Sequence, residues 1–260
     1  MLLLRRLWGY GIAGVMIVAV GPYPVRGLVE DDEIVHRVHN TVGSVHYLVL
    51  WAAPVLLWAH RRRDASMWRL ALVTSITMFV VSVAARDLDG SLSWMPLATL
   101  LVLWPYDAAE RGWWVPARRP SVAAVLAAGL LWWVAIETAW PLVAVQRISA
   151  TDVHGARFHY SGMAAATTSL AACATVLALY GSRRAGAAIV ASAAVLIGTS
   201  YLLWPEYDSG ISAGWAWLYI AGAALVAPLA FGAWRASHSS SNAVAPSPSS
   251  SSPRRPTMHS

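Results

Sequence analysis

The chain has 260 residues, of which 57% are hydrophobic and only 12% charged, about half the charged share of an average soluble domain. With a mean hydropathy of +0.52, that balance excludes an ordinary soluble fold and predicts an all-α polytopic integral membrane protein. A net charge of +6 would point to nucleic acid in a soluble chain, but here the arginines fall between apolar runs, where membrane orientation explains them and nucleic-acid binding does not.

A transmembrane helix needs roughly 17–25 mostly apolar residues. In chain order the sequence offers eight candidates, at about 7–25, 40–59, 67–85, 92–106, 121–140, 159–180, 185–204 and 213–234. The first, "LWGYGIAGVMIVAVGPYPV" after Arg5 and Arg6, resembles a signal peptide but has no clear small-x-small cleavage site, so a retained first span is expected. The fourth is short, which leaves a seven-span alternative in which it is re-entrant. Residues 1–236 form the membrane domain, and the Ser/Pro-rich tail, 237–260, has too little apolar content to fold.

All 19 basic residues are arginine, which excludes a retinal Schiff base, a lysine nucleophile and a P-loop lysine. An alanine-rich, arginine-only composition is also what a GC-rich bacterial genome produces. Across alternate connections the arginines divide 14 to 5, placing both termini in the cytoplasm of a plasma-membrane protein. The inner clusters "AHRRRDASMWR", "ERGWWVPARRPS" and "GSRRAG" fit topology and contact with anionic lipid. Cys173 is the single cysteine, so there is no intrachain disulfide, CxxC pair or cysteine-based metal site.

The two halves, 1–115 and 116–236, show a faint parallel 4+4 repeat. Pro24-Val25 and Val35-His36 correspond to Pro141-Leu142 and Val153-His154 at offsets of 117 and 118, and the acidic loops "RDLDGS" and "PEYDSG" follow in each half.

Most of the chemistry-bearing residues gather on the outer side. In "DDEIVHRVHNTVGSVHY" the histidines His36, His39 and His46 share one sector of a helix. Yet His46 lies about 10 Å below His39 and about 15 Å below His36 at the helical rise, too far for one metal to hold all three. A divalent metal would therefore take His36 and His39 together with His154, His159 and Asp152 of the second half. Haem fits less well, because His159, the second ligand it would need, lies near the surface. His46, nearly two turns inside its span, requires a hydrogen-bond partner or a cavity.

Glu137, in "LLWWVAIETAWP", is the other ionisable group at membrane depth, beside Trp132, Trp133 and Trp140. Kept from water it would suit a proton donor, and aromatic faces could stabilise a carbocation. Other tryptophans, among them Trp8, Trp68, Trp104 and Trp215, sit where interface anchors sit. The segments "RFHYSGMAAATT" and "LLWPEYDSGISAG" resemble the lipid-phosphatase family in placement, over about 60 residues. Met163 stands where that family has the histidine of its first motif, and the second motif lacks its arginine and histidine. Phosphohistidine chemistry is therefore not implied.

These features predict an outward-facing His/carboxylate site with the lipid bilayer as partner. The leading expectation is a membrane-embedded enzyme using His46 and Glu137 as acid/base groups on a lipid or isoprenoid-like small molecule. The alternatives are a transporter or binding protein with a solute or proton path along the same groups, and a haem- or metal-binding membrane protein.

Overall fold

A computed structural model of the chain describes residues 2–25, 37–60, 64–86, 98–99, 104, 116, 120–148, 159–181, 184–205 and 211–241, with side chains up to residue 231. The described residues form no strand, and seven helices are long and apolar enough to cross a membrane. The protein is thus an α-helical multi-pass membrane protein, the architecture in which every backbone polar group is satisfied within its own segment.

The helices are α1 (Leu2–Val20), α2 (Arg37–His60), α3 (Ala65–Ala85), α4 (Val122–Thr138, continued by Trp140–Ile148), α5 (His159–Tyr180), α6 (Arg184–Leu203) and α7 (Ala213–Ser241). Seven of the eight expected spans are present. The fourth, 92–106, lies almost entirely outside the described residues, as do His36, Asp152 and His154. The expected span at 121–140 runs further, because the helix resumes at Trp140 and carries Pro141 in its first turn, where a missing N–H does no harm.

Helix ends are satisfied largely by neighbouring helices. Asp64 is buried and caps α3, its carboxylate accepting from the backbone N–H groups of Ser66 and Met67 at 3.1 and 3.3 Å. At the other end of α3, Arg86 adopts a left-handed conformation (φ 59°) and its N–H closes back onto Ser82 and Val83. Arg6 of α1 donates to the carbonyls of Ala59 and His60, the last residues of α2. Arg147 at the end of α4 donates to the carbonyl of Ala84 at the end of α3. Cations at helix C-termini meet both the orphan carbonyls and the negative end of the dipole. Arg5 also lies over Trp58, and Arg69, mostly buried, lies over Tyr180. Several arginines are therefore engaged with protein.

At the centre α2 and α5 run side by side in the same direction, with α3 and α6 packed against both and α1 and α4 outside. α5 is buried along most of its length, whereas α1 exposes Leu3, Leu7, Val15 and Val18 to the lipid side. Trp68, expected as an interface anchor, is wholly buried instead: with Asp64 as cap, the first turn of α3 is drawn into the core.

Candidate functional site

Three of the sequence-predicted histidines lie where α2 meets α5. At the start of α5, His159 stacks on His39 of α2 with ring centroids 4.8 Å apart and planes inclined by 28°; the ring of Tyr160 meets His39 edge-on at 6.4 Å. Seven residues further along α2, His46 is 0% exposed, and its Nε2 is 3.1 Å from the Oγ of Ser169. Among the described residues, the other ring nitrogen of His46 has no hydrogen-bond partner. At the α-helical rise His46 lies about 14 Å from the N-terminal end of α2, close to half the thickness of a bilayer core of about 30 Å. A histidine at that depth cannot reach water by snorkelling, so its partner has to come from a neighbouring helix.

Here α2 is not a regular helix. Val45–Ala52 is π-helical, and the N–H of Ala53 closes onto the carbonyl of Leu48. Passing between α- and π-type bonding leaves carbonyls short of their usual donors, a feature concentrated at functional sites. Two hydroxyls of α3 meet this stretch. Thr74 donates to the carbonyl of Leu50 at 3.0 Å and lies 3.3 Å from the Sγ of Cys173, and Ser75 accepts from the indole N–H of Trp51 at 2.9 Å.

The result is a polar seam read downward: His39 with His159, His46 with Ser169, then Thr74 between Leu50 and Cys173, then Trp51 with Ser75. Closer to the α2–α3 connection Val55, Trp58 and Ala59 share one apolar core with Met67 and Leu70, beside the buried polar residues Asp64, Ser66 and Arg69. Among the described residues, no three His, Cys, Asp or Glu side chains are grouped as metal ligands would be.

Glu137 is placed differently. The buried stripe of α4 is Ala124, Ala127, Leu131, Val134, Ala135 and Thr138, and Glu137 lies on the exposed face with Trp133 and Ile136. Of the deep tryptophans, Trp51 and Trp132 are bonded to hydroxyls, Trp132 donating to Thr175 at 2.9 Å, while Trp133 is half exposed and meets Trp215 edge-on at 5.4 Å. The structure thus brings His39, His46 and His159 into one seam and sets Glu137 apart from it.

A neighbouring serine or threonine is one of the partners expected for His46; which hydroxyl it is does not follow from the ionisable residues alone. Ser169, Thr74 and Ser75 were nevertheless visible as small polar residues inside apolar spans, which in membranes face other helices. A second signal was the tripeptide pattern Arg-x-His, present as Arg37-Val38-His39 and again 120 residues later as Arg157-Phe158-His159.

Comparison with protein-family models, curated proteins and solved structures finds no match. The chemistry of the seam has to be read from its own side chains.

Proposed function

We propose that this chain is a transport-type plasma-membrane protein in which the α2–α5 seam takes protons from the outer face toward the membrane midplane. The observation that carries this is the vertical order of titratable and hydroxyl groups, His39 with His159 above and His46 with Ser169 below, beside a π-helical stretch. Imidazoles and hydroxyls can each donate and accept, which is what passing a proton along a line requires. Irregular helices with ionisable groups near the midplane are the usual setting of such paths. Proton handling is favoured over a held metal because, among the described residues, the seam brings together two imidazoles at its start, a short ligand set. The acid/base enzyme expected on His46 and Glu137 needs one chamber reaching both; His46 is enclosed between helices and Glu137 faces outward from α4.

The proposal includes eight crossings and two similar halves. Arg147 joins the C-terminal end of α4 to the C-terminal end of α3, so these helices run in the same direction and the chain between them has to recross the membrane. The segment 92–106 is the apolar stretch available for that crossing. In the repeat, α2 matches α5 and α3 matches α6, so the α3–α5 and α2–α6 contacts are one contact made twice. Eight crossings and the arginine asymmetry put both termini in the cytoplasm.

Reconstitution into liposomes carrying an internal pH dye tests the function. A potassium-valinomycin potential is expected to drive acidification that is abolished by His46→Phe and reduced by His39→Ala. Acidification by His46→Phe equal to that of the parent protein overturns the proposal. Orientation is tested by a cysteine placed at Ser247: an impermeant maleimide should label it only after cells are permeabilised, and labelling of intact cells would reverse the topology.

A further inference from the structure

A groove of about 780 Å³ runs between α6 and α7, away from the histidine seam and independent of the function proposed for it. Its size lies in the range of small-molecule sites. At one end α6 and α7 are locked together: a Cβ on Gly198 would stand 2.8 Å from the carbonyl oxygen of Ala216. Toward the other end the lining is mostly alanine and reaches Phe231 and Arg184.

Three features of this groove agree on one occupant. From Leu196 to Arg184 it follows twelve residues of α6, about 18 Å at the helical rise, which is slightly more than half of a bilayer core of about 30 Å. A single acyl chain in one leaflet has that reach. The lining is apolar except for Arg184 and Ser192. Arg184 is the first residue of α6 and exposed, so a guanidinium and the positive end of a 20-residue helix coincide at the mouth. Together these attract a phosphate.

We infer that the α6–α7 groove is a specific site for an anionic phospholipid, one acyl chain lying against Ala188, Ala224 and Ala227 and the headgroup phosphate at Arg184. A neutral lipid would fill the groove without the charge contact. One arginine near a membrane surface contributes about 1 kcal/mol toward anionic lipid, equivalent to roughly five-fold in affinity.

The full-length protein in a mild nonionic detergent, titrated with dioleoyl-phosphatidylglycerol or dioleoyl-phosphatidylcholine and read by native mass spectrometry, tests this. Phosphatidylglycerol is expected to bind about five-fold more tightly, and Arg184→Gln to erase that preference while leaving phosphatidylcholine binding unchanged. Ala224→Phe, at an exposed lining position, should fill the groove and lower retention of both lipids; circular dichroism and melting without lipid check that it is folded. Equal binding of the two lipids by the parent protein overturns the inference, as does undiminished binding by folded Ala224→Phe. Competition by inorganic phosphate alone at the same concentration would remove the acyl-chain part. A change from dimer to monomer in Ala224→Phe would make the groove a self-association face and overturn it as well.

Discussion

The α2–α5 seam and the α6–α7 groove are both spaces between neighbouring helices, and they are filled in opposite ways. In the seam, polar side chains from three helices meet at depth: His46 finds Ser169, Thr74 finds the Leu50 carbonyl, and Trp51 finds Ser75. Along the groove the α6–α7 pair presents mostly alanines, and only Arg184 and Ser192 are polar. The difference follows from the solvent. A polar group at membrane depth has to be satisfied by protein, so seams that carry such groups close. A gap between apolar helix faces costs little when lipid can fill it, so such gaps stay open.

The sharpest way to break this contrast is at the closed end of the groove. Gly198→Leu drives a side chain into the Ala216 carbonyl and Tyr219, and is expected to cost about 3 kcal/mol, the upper part of the overpacking range, as a lower melting temperature in detergent. Ser169→Val comes next. It leaves both ring nitrogens of His46 without a partner among the described residues and should cost about 2 kcal/mol. His46→Phe in the same chain should recover part of that loss, and a melting temperature that falls further in the double variant would mean the pair is not coupled. Thr74→Val removes one hydroxyl from the π-helical stretch and should cost about 0.6 kcal/mol, the average for an interhelical hydrogen bond in a membrane. Its sharper readout is faster amide exchange over 45–52. Smallest of all is Glu137→Gln, on the lipid-facing side of α4: neither melting temperature nor proton flux should change, and a loss of flux would bring that carboxylate back into the seam's chemistry.

Much of the fold was legible in the sequence because the bilayer imposes one rule on every span. Twenty or so apolar residues between arginine clusters can only be a helix, so α1 to α7 appear where hydropathy puts them. The histidine geometry was partly legible for the same reason: helical rise alone separates His39, near the start of α2, from the deeper His46, although packing against His159 buries His39 as well. What periodicity does not contain is rotation. Glu137 and Thr138 are adjacent, yet one is exposed and the other buried beside Tyr219, because α4 turns its alanine stripe toward α5 and α7. Trp68 likewise sits at a position typical of an interface anchor and is buried by the packing of α3.

The sequence by itself determined that this is a helical membrane protein, where its spans lie, and that His46 sits too deep to be left unsatisfied. Only the tertiary structure decided that its partner is Ser169, 123 residues away, and that His39 meets His159. It also decided that the closely packed α6–α7 pair carries a groove ending at Arg184. Span positions follow from local transfer energies, which add along the chain. Partner choice follows from which helix faces meet, and that is settled by small residues such as Gly198 and by polar pairs between segments far apart in sequence.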